Sequence, residues 1–257
     1  MSVLRSFVDS VRSGAIEVID LTAPLTAETP ILQLPPPFSN ALPFRLEEIS
    51  RYDDRGPAWY WNNIHTSEHS GTHFDAPIHW VTGRDGQDIS QVPTRSLIAP
   101  AVVLDFAAEA AKDPDFLLEI DHVKEWERVN GPLPDGGWLL YRTGWDVRAG
   151  DQAAILNADE SGSHTPGVSA ECAGWLASET PILGIGVETV GTDAGAAHSF
   201  DPAFPCHSFL LGAGKYGLTQ LRNIDRLPVT GAAVVAPPLP IVGGSGSPVR
   251  VLALVER

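Results

Sequence analysis

The chain has 257 residues, of which 43% are hydrophobic and 19% are charged, a balance typical of a folded protein and not of a disordered one. Its formal net charge of −15 disfavours binding to nucleic acid or to an anionic membrane surface, since both need Lys and Arg. The two cysteines, Cys172 and Cys206, form no CxxC pair, which argues against a disulfide framework or a cysteine-based zinc site. With no run of about 18 apolar residues and no secretory signal, we expect a cytoplasmic protein.

The first half of the chain is predicted to form a helix, three strands and a second helix. The opening helix is amphipathic, because its apolar residues recur at helical spacing: Leu4, Phe7, Val8 and Val11. Runs rich in β-branched and aromatic residues then predict strands at "AIEVIDL", "AWYWNNI" and "AVVLDF". The helix that follows covers "DHVKEWERVN", with Asp121 as its N-cap.

The second half predicts four further strands, at "GWLLYRT", "ILGIGVE", "AAVVAPP" and "RVLALV". A helix over "SAECAGWLASE", capped by Ser169, lies between the first two, and "LTQLRNIDRLP" fits either a short helix or a loop. Strands that alternate with helices predict an α/β fold, and so many strands with tight connections predict a mixed sheet curled into a barrel-like core with flanking helices. We expect a single domain over residues 1–257.

The glycines of "VGGSGSP" near the C-terminus are predicted to form a turn before the last strand. Neither a helix nor a Lys follows them, which argues against a phosphate-binding loop. Ser245 in this stretch lacks the strand–turn–helix setting of a catalytic serine and has no assigned histidine. The sequence therefore predicts no chemical role for this segment.

Residues that suit metal binding are concentrated in one stretch, "HSGTHFDAPIH", from His69 to His79. The chain before it looks extended, so His73 and Asp75 should point the same way, and Gly71 lets the backbone bend so that His69 reaches the same point. Two imidazoles and a carboxylate suit Zn²⁺, Mn²⁺ or Fe²⁺ and leave positions open for water and substrate. On spacing alone, a polar surface loop or a hydrogen-bonded corner of the core remains an alternative.

The same stretch resembles, position by position, the H-x-G-T-H-x-D-x-P-x-H signature of the metal-dependent cyclase family. The seven fixed positions are His69, Gly71, Thr72, His73, Asp75, Pro77 and His79. Further similarity lies in "VIDLTAPL", "GWLLYRTGW", "GIGVETVGTD" and "CHSFLLGAGKYGLTQLRNIDRLP". The family includes kynurenine formamidases, isatin hydrolase and related amide or lactone hydrolases. The resemblance implies a fold of the swivelling β/β/α type.

The resemblance also implies a role for each residue of the signature. His69, His73 and Asp75 would hold a metal ion, and His79 would be the nearby acid/base group. A fourth ligand, Gln220, would give its amide oxygen to the same ion, as in the isatin hydrolase type. We therefore expect one divalent metal ion, with Mn²⁺ favoured and Zn²⁺ possible, because no thiolate is present and one ligand is an amide oxygen.

His207 matches a further histidine of the family pattern. In the two-zinc formamidases that histidine binds a second metal together with a glutamate about a dozen residues later. This chain has Thr219 and Gln220 in that region, which puts a second metal in doubt. We expect His207 to be free for substrate or proton transfer, and we place it with His79 among the catalytic residues.

Aromatic side chains surround the signature and suit a flat aromatic substrate. Trp59 and Trp61 precede it and Trp80 follows it, although alternate members of this run could simply face the core. Phe38 lies in the Pro-rich "LPPPFSNALPF" and could cover the site as a flap or reach it from a partner subunit. The resemblance to the family implies a homodimer or homotetramer.

The predicted function is metal-dependent hydrolysis of a C–N bond in a cyclic, aromatic amide such as isatin, through a metal-activated water. Two alternatives use the same chemistry, namely an arylformamidase acting on N-formylkynurenine and a lactone hydrolase. A third alternative, from another class, is a metal-binding protein without catalysis. Such a protein would need the ligands but would have no use for His79.

Overall fold

Short strands and helices joined by tight turns make up the molecule, and the computed structural model describes residues 2–34 and 36–257. The strands are β1 (Ile16–Asp20), β2 (Arg45–Asp53), β3 (Gly56–His65), β4 (His73–Asp75), β5 (Ile98–Asp105), β6 (Leu117–Leu118), β7 (Trp138–Arg142), β8 (Ala158–Asp159), β9 (Gly162–Ser163), β10 (Gly167–Val168), β11 (Gly184–Val187), β12 (Tyr216–Thr219), β13 (Ala232–Val235), β14 (Gly246–Pro248) and β15 (Leu252–Glu256). The helices are α1 (Val3–Ser13), α2 (Ala107–Ala110), α3 (Ile120–Asn130), α4 (Gln152–Leu156) and α5 (Ala170–Ser178).

Within the described residues, nine strands form one mixed sheet in the order β1–β15–β13–β5–β7–β11–β12–β4–β14. The pairs β5–β7, β7–β11 and β11–β12 at its centre are parallel, and the pairs toward both edges are antiparallel. A bridge joins Thr22, just after the edge strand β1, to Leu221, just after β12, which is seventh in this order, so the two sides of the sheet approach each other. The sheet is thus curled, and the predicted α/β fold with a barrel-like mixed sheet is confirmed.

The central strands are buried on both faces. On β5, Val102 and Leu104 point into one apolar core, and Ala101 and Val103 point into the other. Helices α3 and α5 cover the first core, where Leu176 of α5 is fully buried. Burial on both faces explains why these strands have continuous apolar sequences instead of alternating ones.

Strand β4 has three residues and lies between β12 and β14. Its middle residue, Phe74, is fully buried, and its ring lies 5.8 Å from that of Trp138 and 5.2 Å from that of Tyr216, measured between centroids. Because successive side chains on a strand point to opposite faces, His73 and Asp75 face away from this apolar contact. Burial of Phe74 therefore fixes the direction of both polar side chains.

The predicted helices are present, with one correction at a cap. Helix α5 follows Ser169, whose Oγ accepts the backbone N–H of Cys172 at 3.2 Å, as predicted. The prediction of Asp121 as the N-cap of α3 was wrong, because Glu119 precedes the helix and donates its backbone N–H to Nδ1 of His122 at 3.0 Å. In the described part of the chain, no helix has the length and apolar character needed to cross a membrane.

Strands β2 and β3 form a separate two-stranded antiparallel sheet. This hairpin exposes an unusual number of large apolar and aromatic side chains: Leu46, Tyr52, Trp59, Tyr60, Trp61 and Ile64. Large aromatic side chains are enriched at protein–protein interfaces, so their exposure here is compatible with an interaction site.

Candidate metal centre and cavity

The chain bends sharply before β4, as the sequence predicts. Gly71 has a φ of +61°, in the left-handed region that favours glycine, and an added Cβ would meet Cδ2 of Leu25 at 2.7 Å. The bend turns His69 toward β4, where His73 and Asp75 share one face of the strand. The structure therefore brings together the two imidazoles and the carboxylate of the signature.

The three side chains meet at one carboxylate oxygen. Oδ1 of Asp75 lies 2.8 Å from Nδ1 of His69 and 3.3 Å from Nε2 of His73. Asp75 is 1% exposed and His73 4% exposed, so this contact is shielded from water.

These donors fit a first-row divalent ion. Bonds from such an ion to nitrogen or oxygen are about 2.0–2.2 Å long, so donor atoms that share it lie about 3 Å apart, as here. Nδ1 of His73 lies 2.8 Å from the carbonyl oxygen of Gly71, which can only accept, so that nitrogen carries the hydrogen and Nε2 keeps its lone pair toward Asp75. Histidines that bind metals commonly donate their second N–H in this way.

Both residues that neighbour Asp75 across the sheet are glycines, Gly217 on β12 and Gly246 on β14. An added Cβ at Gly217 would meet Oδ2 of Asp75 at 2.8 Å, and one at Gly246 would meet Cε1 of His69 at 2.6 Å. The space for the donor cluster therefore exists because the adjacent strands lack side chains at these two positions.

Gln220 lies directly after β12 and is buried, with a φ of +50° that is unusual for a residue other than glycine. The hydroxyl of Thr72, within the signature, donates to its backbone carbonyl at 2.7 Å. The side-chain Nε2 of Gln220 donates to the carbonyl of Pro30 at 3.3 Å, whereas Oε1 is buried without a partner among the described residues. An unsatisfied buried oxygen is costly, and a cation would satisfy it. Its predicted role as a ligand stays a prediction.

His79 lies beside the cluster at the end of a short turn, Pro77–His79. Its ring stacks on that of His69 with centroids 3.8 Å apart and lies 5.4 Å from that of His207. His69, Asp75 and His79 each offer one ligand atom within 4.8 Å of the others. Burial lowers the pKa of His79 to about 3, so the ring is uncharged at neutral pH.

His207 occupies a π-helical turn, Cys206–Leu211, and also lines the cavity. Its Nδ1 makes a short contact with Oδ2 of Asp193, whose Oδ1 also accepts the backbone N–H of Cys206 at 2.7 Å. Burial lowers the pKa of His207, but the hydrogen bond and charge of Asp193 raise it by more, and the net shift is upward. His207 is thus oriented by Asp193 and inclined to carry a positive charge.

A cavity of about 390 Å³ opens onto these groups. Its lining combines the donor cluster with apolar side chains: Leu32, Leu34, Ala41, Val190, His69, His73, Asp75, His79 and His207. A larger cavity of about 570 Å³ near Tyr216 holds no comparable cluster, so chemistry and not volume identifies the site. An apolar wall with a few convergent polar groups is typical of small-molecule sites.

The predicted aromatic residues lie in two places. Trp80 is at the site, with its ring 4.8 Å from that of His207 and its Nε1–H donating to Oγ of Ser208 at 3.1 Å. Trp59 and Trp61 are 49% and 54% exposed on the β2–β3 hairpin, and Phe38 is 64% exposed. None of the four, Trp80 included, is among the described residues that line this chain's own cavity, although Trp80 packs against His207, which does line it. Their role in binding substrate stays a prediction.

Three further residues at the site were missed by the sequence analysis. Asp193 holds His207, and Glu68 and Ser245 contact the His69 side of the cluster. Asp193 ends the quoted "GIGVETVGTD" and Glu68 precedes the signature histidine, so both positions carried a weak signal. Ser245 carried none, because its contact spans 176 residues.

Comparison with known proteins gives results in line with this geometry. The family described as "Putative cyclase" matches residues 19–194. An isatin hydrolase from Roseibium aggregatum is 48% identical over 248 residues, which cover 95% of this chain and 94% of that protein. A solved isatin hydrolase bound to the product analogue thioisatinate is 46% identical, with a TM-score of 0.97 and 100% of both chains covered. A kynurenine formamidase from Salinibacter ruber is 30% identical over 192 residues, or 73% of this chain and 76% of that protein.

Proposed function

Because the family match and these relatives show that this chain belongs to the cyclase family, we propose that it hydrolyses the C–N bond of a cyclic aromatic amide such as isatin. The observation that carries the proposal is 48% identity to an isatin hydrolase over nearly the whole chain. The buried donor cluster facing an apolar cavity supports it. The chain is a metal-dependent hydrolase.

One divalent ion, Mn²⁺ by preference and Zn²⁺ as the alternative, would be held by His69, His73, Asp75 and Gln220. Once bound, it would polarise the amide carbonyl and lower the pKa of a neighbouring water. The unpartnered Oε1 of Gln220 and the crowding of lone pairs around Oδ1 of Asp75 support this ligand set. The absence of a carboxylate at Thr219 and Gln220 supports one ion over two.

His79 would transfer protons during the reaction, and His207 would stabilise the negative charge that develops. His79 is uncharged, stacks on His69 and lines the cavity, and in this proposal it takes a proton from the attacking water and delivers it to the nitrogen as the C–N bond breaks. The water oxygen joins the carbonyl carbon, and the product is an amine with a carboxylate. His207, held by Asp193, offers positive charge to the carbonyl oxygen and then to the product carboxylate.

An assay with three substrates tests the proposal. We expect the Mn²⁺-loaded protein to hydrolyse isatin with a kcat/KM at least about tenfold above that for N-formylkynurenine or a small lactone, a difference of about 1.4 kcal/mol in transition-state binding. Chelation should abolish turnover and added Mn²⁺ should restore it. A preference for N-formylkynurenine would favour the formamidase alternative, and turnover that survives chelation would refute the metal-dependent mechanism.

We also propose that residues 1–257 form one domain that assembles as a homodimer or homotetramer through the β2–β3 hairpin. Strands β1 and β15, the first and the last along the chain, pair with each other, which supports one domain. The exposed aromatic side chains of the hairpin support an interface between copies. Light scattering on the purified protein should give the mass of two or four chains, and a monomer at micromolar concentration would contradict the interface. The cytoplasmic location stays a prediction.

A further inference from the structure

The glycine-rich stretch before β14 reaches into the donor cluster. Oγ of Ser245 lies 2.8 Å from Nε2 of His69 and 2.6 Å from Oε2 of Glu68. The backbone N–H of Ser245 donates to the same Oε2 at 3.1 Å, and its carbonyl accepts the N–H of Ala76 at 2.9 Å. Ser245 is therefore held between a carboxylate and the imidazole that faces Asp75.

The direction of these hydrogen bonds follows from the chemistry of the groups. An ionised carboxylate only accepts, so the single hydroxyl hydrogen of Ser245 points to Glu68. The same oxygen must then accept from His69, which places the imidazole hydrogen on Nε2. Nδ1 of His69 is left with its lone pair directed at Oδ1 of Asp75, 2.8 Å away. Two acceptors this close are held together by a cation between them or by a second hydrogen on the ring, and the proposed metal ion is such a cation.

We infer that Glu68 and Ser245 are positioning residues that fix the ring and the protonated nitrogen of His69, and thereby set the affinity of the site for a divalent ion. The inference rests on the proposed metal site. A carboxylate, a hydroxyl and an imidazole in series also place a negative charge behind the ligand. The segment assigned no role from the sequence thus contributes to the metal centre.

The packing around Ser245 shows that this contact is tightly built. An added Cβ at Gly244 would meet Oε1 of Glu68 at 2.9 Å, and one at Gly246 would meet Cε1 of His69 at 2.6 Å. The backbone can approach the carboxylate and the imidazole only because glycine stands on both sides of the serine. Gly244 also accepts the backbone N–H of Ile89 at 2.9 Å, which anchors the loop to the rest of the chain.

Calorimetric titration of Mn²⁺ and Co²⁺ into the metal-free full-length protein tests the inference. We expect Ser245→Ala and Glu68→Gln each to raise the Kd by about 10- to 100-fold, the usual effect of removing a partner behind a metal ligand. The loss of binding free energy in the double variant should not exceed the sum of the losses in the two single variants. It should be smaller than that sum if both residues act through His69. The visible spectrum of the Co²⁺ form should shift in both single variants.

A structural role is separated from a positioning role by thermal unfolding with and without metal. We expect the Tm of the metal-free variants to match that of the wild type, and the rise in Tm on adding Mn²⁺ to shrink. Ser247→Ala is the matched control, because Oγ of Ser247 bonds to the Leu239 N–H and the Pro248 carbonyl and does not contact His69. Its Kd should be that of the wild type.

The possible outcomes distinguish this inference from the proposed function. If the wild type binds Mn²⁺ and the Ser245 and Glu68 variants bind it equally well, the positioning role is refuted and the metal site stands. The same holds if their metal-free Tm falls while the Kd is unchanged. If the wild type binds neither ion, the metal site and the positioning role are both refuted.

Discussion

Replacing Asp75 by asparagine should remove the bound metal and reduce kcat/KM for isatin by at least about 1000-fold, or about 4 kcal/mol of transition-state stabilisation. Oδ1 of Asp75 is the atom that lies close to both His69 and His73. Asparagine has nearly the same shape but no charge, so a cation between the two imidazoles would lose the carboxylate charge that lies against both of them. Metal content by mass spectrometry and steady-state kinetics measure the two effects.

Asp105→Asn is the control for this substitution, because Asp105 forms a surface ion pair with Arg142 at 2.5 Å, away from the cavity lining. It should keep both metal and activity. Circular dichroism should show that the Asp75 variant is folded, since Phe74 still anchors β4 in the core. A folded Asp75→Asn protein with full metal content would remove the basis for the proposed centre.

Replacing His79 by glutamine should reduce kcat by about 10²- to 10⁴-fold, the typical contribution of one general acid/base, with the metal retained. The ring is uncharged and lies 3.8 Å from that of His69, beside the cavity, where it can exchange protons with water and substrate. KM should change little because glutamine fills a similar volume. Stopped-flow measurement of isatin hydrolysis and metal analysis of the same sample check both parts.

His164→Gln is the matched control, because His164 bonds to Asp115 at 2.7 Å on the surface and should not affect turnover. The metal content and activity of the His79 variant also distinguish two other interpretations of the site. Loss of metal in the His79 variant would make this residue a ligand, which its place within 4.8 Å of His69 and Asp75 allows. Unchanged metal and unchanged hydrolysis would favour a binding protein without catalysis.

Most of the main sheet could be predicted from the sequence because its central strands are buried on both faces. Such strands have continuous apolar sequences, as in β5, β7 and β11, and the turns between them are rich in glycine and proline. Strand β14 could not be predicted, since its three residues pair with β4 from far along the chain. The cap of α3 was missed because the side chain of His122, and not the expected aspartate, bonds the first turn.

The local part of the site could also be predicted, and the non-local part could not. His69, His73 and Asp75 lie within seven residues, so strand alternation and one glycine bend were enough to bring them together. The contacts of Ser245 and Asp193 join separate loops, and periodicity carries no information about such pairs. Trp59 and Trp61 on the hairpin are close to the signature in sequence, but they are exposed and do not line the cavity, so proximity in sequence alone was a poor guide.

The two glycines opposite Asp75 have a consequence for how this protein tolerates change. Neither Gly217 nor Gly246 offers a donor atom, yet any larger residue there would intrude on the carboxylate or the imidazole. In a saturation library selected for turnover, these positions should be depleted of variants as strongly as the histidines themselves. The volume left free by these two glycines is therefore required by the site, just as the side chains of Asp75 and His69 are.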